Sequence, residues 1–429
     1  MEGTEDGRRK KFLLVILFGI ASLGLILGEM TIRFLGKSDR DGNLRLTILD
    51  KSLNIKPFHL PIHFTQEEIE KYYGRRSYLM YDSTLGWVQR PRSTSESGLY
   101  HANAAGVRRG SIDENTRLKK NGLRIVLLGD SYTHGDEVPF EQTWGYYLEK
   151  SLARMGIQAD VINLGVPGYG MDQAFLRWKT FGVTFAPDFV IFGFQPENVK
   201  RNLNLFRKLY YKPSGMPFAK PRFVLSGNRL HAINSPTVPP DKIVDVLEKF
   251  DEWDNRKYEF FYRPQDYEDR IWLKSKFLGA LLGGIEYLGD VPRERELYSL
   301  EEEPGKLALA ILDELRSDVE QRGGAILMAI LIPKWDFPYG SRGRPYPYQD
   351  LLDAIERRYD TVKAYKQLFL HAKDGNIDEL FAGLHYSAKG NELVAEAIGG
   401  AIAARKSKAK FSFPLNPSGL ETRRLSMAK

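Results

Sequence analysis

Apolar positions follow two patterns along the chain. The first is an uncharged run, Phe12 to Gly28, FLLVILFGIASLGLILG. At about 1.5 Å per helical residue it nearly spans a bilayer core, and the following MTIRFL can lengthen it. The second begins at Leu123, where short continuous apolar runs alternate with amphipathic stretches.

The runs Leu123–Leu128, Ala159–Asn163, Phe189–Phe192 and Ile326–Ile332 read as strands. Between and after them, Gln142–Met155, Met171–Phe181, Lys306–Arg322 and Lys389–Arg405 carry apolar residues at helical spacing. Continuous apolar strands between amphipathic helices indicate a mostly parallel sheet covered on both faces. The alternation breaks between about 203 and 300, a stretch rich in Tyr, Phe, Trp, Pro and charge. Such an insertion either forms a lid or cleft wall or packs its aromatics on one another as a peripheral subdomain.

The expected division is a basic stub and membrane anchor over 1–37, an N-terminal extension over 38–120, an α/β domain over 121–405 holding the insertion, and a basic, loosely ordered tail over 406–429. Arg8, Arg9, Lys10 and Lys11 precede the apolar run, so the positive-inside rule keeps Met1 cytoplasmic and places the rest outside. A cleaved signal peptide and a buried helix are the alternatives. No A-x-A-like site follows, and Glu29 comes at once.

Charge and composition add exclusions. The net charge of +7 gathers at the two ends, without a basic motif interleaved with aromatics, so nucleic acid is a poor partner. With no cysteine, disulfides, thiolate zinc sites and a cysteine nucleophile are excluded.

In an open parallel sheet, ligands bind beyond the C-terminal ends of the strands. After the first strand comes Gly129-Asp130-Ser131, where glycine permits a tight turn and Ser131 stands at the start of a helix. The hydroxyl faces a crevice, or else Asp130 or Ser131 only caps the helix. After the second comes INLGVPGYG, whose glycines let backbone approach a ligand, with Gly168 the candidate donor; a plain turn is the alternative. After the third comes FGFQPENVKRN, where Asn198 offers an uncharged amide N–H or acts as a turn or cap residue. Near the end, GLHYSAKGNELVAEAI places His385 just before the last helix.

These blocks together, GDSYTHG (129–135), NLGVPGYG (163–170), PEN (196–198) and LHYSAKGN (384–391), resemble the SGNH, or GDSL, hydrolase family. DSTLGW (82–87) and HANAAGVR (101–108) look like the region preceding this domain in membrane-anchored bacterial members. The resemblance implies a flavodoxin-like three-layer α/β/α hydrolase, here with one N-terminal transmembrane helix. It implies Ser131 as nucleophile, His385 as its base, and an oxyanion hole from the N–H groups of Ser131 and Gly168 with the Asn198 side chain. It implies no cofactor and no metal.

Two departures stand out. The third block usually has Asn followed by Asp, with a glycine two residues before the Asn; here Val199 follows Asn198 and Pro196 stands two residues before it. The family also places an acid three residues before the histidine, where this chain has Ala382. Asp378 is the nearest upstream acid, seven residues from His385, and only a chain reversal around Gly383 brings it close. His134 is near the nucleophile in sequence but reads as a first-turn helix residue.

Three functions fit. The first is an ester hydrolase outside the cytoplasm, on the inner membrane, acting on short acyl esters such as O-acetyl groups of cell-surface or exported glycans. The second is a glycan O-acyltransferase using the same acyl-serine, fed by a membrane acyl donor. The third is a glycan-binding or assembly scaffold, motivated by the missing acid at 382.

Overall fold

The computed structural model describes residues 2–38, 44–46, 51–53, 55–58, 66–114, 122–211, 216–227, 229–374 and 377–410. The part of the expected tail beyond 410 lies outside them; residues 406–410 continue the last helix. The chain forms two compact units, residues 1–88 with 199–310, and residues 89–198 with 311–429.

In the second unit, β1 (Leu123–Leu128), β2 (Ala159–Asn163), β3 (Phe189–Phe194), β4 (Ala325–Ile330) and β5 (Thr361–Val362) form one sheet in the order β2-β1-β3-β4-β5. Every pairing in it is parallel. Between strands run α1 (Ser131–His134), α2 (Trp144–Arg154), α3 (Met171–Thr180), α4 (Glu303–Gln321) and α5 (Gln349–Arg358). A small hairpin, β6 (Phe381–Ala382) with β7 (His385–Tyr386), leads into α6 (Ala388–Lys410).

The strand order explains the layers. The crossover from β1 to β2 runs one way across the sheet, and those from β2 to β5 run the other. Right-handed crossovers therefore put α2 on one face and α3, α4 and α5 on the opposite face. Side chains agree: Gly399 of α6 lies against Ser151 and Leu148 of α2, whereas Trp178 of α3 donates its indole N–H to Asp318 of α4 at 2.8 Å. With both faces covered, Ile125–Leu128 and Val190–Phe192 are buried without alternation. The order reverses between β1 and β3, and the crevice at that reversal is where this architecture holds ligands.

Residues 89–114 pack with the sheet unit, although the expected domain start was 121. Gln89 donates to the Gly165 carbonyl at 2.7 Å and Arg109 to that of Val161 at 3.2 Å. α5 and β5 were not foreseen, and β3 runs two residues beyond its expected end.

The first unit begins with a helix over Glu2–Leu35. Its stretch Gly7–Leu35 is long and apolar enough to cross a membrane, and its apolar side chains are exposed. The aromatic-rich segment packs on itself: Phe206, Phe250 and Tyr262 are buried in one cluster with Leu205, Ile243 and Leu247, and Trp253 packs against it. Within this segment the structure also has a long helix over Lys276–Glu296, which the sequence pattern did not single out.

Candidate active site

β1 delivers the chain to Gly129, whose backbone is closely approached. A Cβ there would lie 2.2 Å from the Thr133 hydroxyl, and one on Gly193 of β3 would meet the same oxygen at 2.2 Å. Glycine at both positions lets the Thr133 side chain fit between β1 and β3. Asp130 caps α1: its carboxylate accepts from Tyr132 N–H at 3.0 Å, and its carbonyl from Thr133 and His134 N–H at 3.1 and 2.8 Å. Ser131 is the first residue of this helix, directly after the cap. The cap is thus Asp130, while the Ser131 side chain faces the histidine.

The Ser131 hydroxyl oxygen lies 2.8 Å from His385 Nε2. His385 is held there by the hairpin. β6 and β7 pair Ala382 with His385 across a two-residue turn, Gly383-Leu384. Gly383 has φ +71°, the left-handed value that the first position of a type II′ turn requires. Tyr132 donates its hydroxyl to the Leu384 carbonyl at 2.7 Å and sets its ring 4.9 Å from the His385 ring. Tyr386 donates to the Ile332 carbonyl at 2.8 Å, fixing the next residue to the end of β4.

The acid beside His385 is Glu137, which sequence reasoning missed. One of its carboxylate oxygens accepts the backbone N–H groups of Leu384 and His385, both at 3.0 Å. The other lies 3.3 Å from His385 Nδ1, at ion-pair distance but short of hydrogen-bond alignment. Glu137 itself has φ +70°, uncommon for a side chain of this size, and its N–H donates to the Tyr100 hydroxyl at 2.9 Å. Gly383 makes room for it, since a Cβ there would come within 2.8 Å of the carboxylate.

Asp378 is elsewhere. The chain does reverse at Gly383, but that reversal opposes Ala382 to His385 and leaves Asp378 in the turn Ile377–Leu380 before β6. Its carboxylate pairs with Lys334 at 2.6 Å and is 65% exposed. Asp378 is therefore not the group on the far nitrogen. The only hint of Glu137 in the sequence is a carboxylate pair, Asp136-Glu137, directly after the turn that carries Ser131.

Electrostatics favour a charged pair. Burial disfavours the His385 imidazolium, but the carboxylates of Glu137, Asp136 and, more weakly, Asp130 outweigh it and raise the histidine above its ordinary value. Burial likewise raises Glu137, yet its hydrogen bonds and charge contact with His385 bring it below the usual carboxylate range. His134 behaves differently. It is fully buried and pushed down to about 4 by that burial and by Arg108, despite its contact with Asp136 at 2.5 Å. It is thus a neutral donor that holds Asp136.

Gly168 and Asn198 stand on the same edge. Gly168 has φ +80° at the third position of the turn Val166–Tyr169, after Pro167, as a type II turn demands. The Val166 N–H donates to the Gly129 carbonyl at 3.2 Å, tying this loop to the turn that carries Ser131. Asn198 follows β3 on a short helix, Glu197–Arg201, and is buried. The loops after β1 and β2 are thus tied together, and Asn198 follows β3, the strand on the other side of β1.

No family model matches the sequence, and no curated protein matches it. Solved structures do show similarity. A putative lipolytic protein of the G-D-S-L family from Desulfitobacterium hafniense is 12% identical at a TM-score of 0.30, covering 65% of this chain and 99% of its own. An acetylxylan esterase from Geobacillus stearothermophilus is 13% identical at a TM-score of 0.34, over 66% of this chain and 94% of its own. A lipase/acylhydrolase from Enterococcus faecalis is 16% identical at a TM-score of 0.32, over 66% of this chain and 96% of its own.

Proposed function

We propose that this chain is a membrane-anchored serine ester hydrolase that works through an acyl-serine at Ser131. The observation that carries the reading is the Ser131–His385 contact of 2.8 Å with a carboxylate at the far nitrogen of the ring. Serine is a weak nucleophile and needs a base at hydrogen-bond distance. His385 Nε2 takes the hydroxyl proton as Oγ attacks the ester carbonyl. Glu137 stabilises the imidazolium that forms and keeps the ring turned toward Ser131. The N–H groups of Ser131 and Gly168 and the Asn198 amide receive the oxyanion; one such donor is worth about 3 kcal/mol in comparable sites. His385 then gives the proton to the departing alkoxide, and water, activated by the same base, clears the acyl group.

The scaffold reading loses its motive, because Glu137 stands in for the acid absent at Ala382. The N-terminal helix supports an anchor, with Arg8–Lys11 on the cytoplasmic side and the hydrolase outside. On the extracytoplasmic side of the inner membrane the substrates within reach are short acyl esters of exported or surface glycans. The full chain in detergent should hydrolyse p-nitrophenyl acetate and lose that activity in Ser131→Ala. Turnover that rises with an added sugar acceptor, with acyl product on the sugar, would instead assign acyl transfer. A Ser131→Ala variant as active as the parent would overturn both.

A further inference from the structure

The helix over Lys276–Glu296 has two opposed faces within the first unit. Gly279, Gly283 and Glu286 follow one stripe at i, i+4 and i+7. Gly279 is pressed against the Lys56 carbonyl, and Glu286 pairs with Lys56 and Arg263. Leu281, Ile285 and Leu288 follow the other stripe at the same spacing, rotated by two residues, so they point away from that packing. They are exposed, Ile285 at 57% and Leu288 at 70%, with Leu282 beside them. Just before the helix, Ile271 and Trp272 are exposed as well, with the Arg270 guanidinium over the Trp272 ring.

The start of this helix is fixed to a known depth on the N-terminal helix. Glu29 accepts from Ser275 Oγ at 2.7 Å and from the N–H groups of Lys276 and Phe277 at 3.1 and 2.9 Å, satisfying the first turn. Arg33 donates to the Lys274 carbonyl at 3.4 Å, and the Phe277 ring lies against Gly28. The apolar run Phe12–Gly28 is about 25 Å long as a helix, close to the hydrocarbon thickness. Glu29 and Arg33 then fall at headgroup level, and the 276–296 helix starts there too. Met30 and Phe34, next to Glu29 and Arg33 in the chain, are exposed on the N-terminal helix as well. A tryptophan flanked by Arg270, Lys274 and Lys276 is the composition that settles at a membrane interface.

We propose that this face, Ile271 and Trp272 with Leu281, Ile285 and Leu288, lies in the headgroup and upper acyl layer of the bilayer that the N-terminal helix enters. It is a second, interfacial contact, resting on the reading of that helix as a membrane span. It gives the first unit two points of attachment to the bilayer.

The chain lacks cysteine, so single sites can be spin-labelled in the full-length protein. Leu281→Cys, Ile285→Cys and Leu288→Cys are compared in phosphatidylethanolamine/phosphatidylglycerol vesicles with Leu17→Cys in the span and Glu248→Cys at an exposed position of the same unit. Accessibility to oxygen relative to a water-soluble nickel chelate should be several-fold higher at 281, 285 and 288 than at 248, and below that at 17. Aqueous values at 281, 285 and 288 with a lipid value at 17 overturn the interfacial contact while leaving the span intact. An aqueous value at 17 overturns the span and the proposal together. Exclusion of both reagents at the three sites shows a protein partner and also overturns it.

Discussion

Replacing Glu137 by glutamine removes one charge and keeps the size and one carbonyl oxygen for the Leu384 and His385 N–H groups. The hairpin should therefore stay in place while the imidazolium loses its counter-charge. Charges about 4 Å apart interact by ~1 kcal/mol in water and ~4 kcal/mol at the effective dielectric near a protein surface. At ~1.4 kcal/mol per decade, kcat should fall by between roughly 5-fold and roughly 10³-fold. Glu137 is about one-third exposed and its contact with Nδ1 is not an aligned hydrogen bond, so screening pulls the effect below the upper figure. We expect about 10²-fold, smaller than the ~10⁴ typical where a buried acid is fully engaged. The pH profile should move with it. The raised value of His385 makes wild-type activity fall as pH drops through a point above 6.5, because the base must be neutral to accept the serine proton. In Glu137→Gln that acid limb should shift to lower pH, since neutral histidine persists further down. The assay is p-nitrophenyl acetate turnover of the full chain from pH 5 to 9, with thermal melts to check folding, and with Asp378→Asn as a matched control. A folded Glu137→Gln within twofold of wild type and with an unmoved acid limb would refute this role. A loss of two or more decades in Asp378→Asn, with folding unaffected, would return the role to that distant residue.

Three further outcomes follow from the geometry. Gly383→Ala should lower both stability and kcat, by about 1–2 kcal/mol in stability, because a side chain at φ +71° is strained and its Cβ meets the Glu137 carboxylate; unchanged melting and turnover would contradict it. Asn198→Ala should cost roughly 10²- to 10³-fold in kcat with KM nearly constant, the pattern of a donor used only in the transition state; a rise in KM alone would make Asn198 a substrate-binding residue. Protease added to intact spheroplasts should remove the hydrolase unit, and full protection would defeat the proposed topology.

The sheet and its ligand edge were legible because the central strands are buried on both faces and read as unbroken apolar runs. Ser131 and His385 were legible because each sits next to punctuation that the fold requires, Gly129 before the nucleophile turn and Gly383 in the hairpin. Glu137 was not, because its role is a contact 247 residues away along the chain, made by backbone N–H groups that no side-chain pattern records. Asp378 looked plausible only through its nearness in sequence, which a two-residue hairpin makes irrelevant. The 276–296 helix escaped notice for a different reason. Its glycines and exposed leucines blur the periodicity that marks a helix packed in a soluble core.

The most direct test of the central claim is where a fluorophosphonate attaches to the full-length protein. Peptide mapping by mass spectrometry should find one stoichiometric adduct, on the hydroxyl of Ser131, with labelling lost in His385→Ala and slowed in Glu137→Gln. An adduct on another residue, or labelling of Ser131 that proceeds at the wild-type rate without His385, would contradict it.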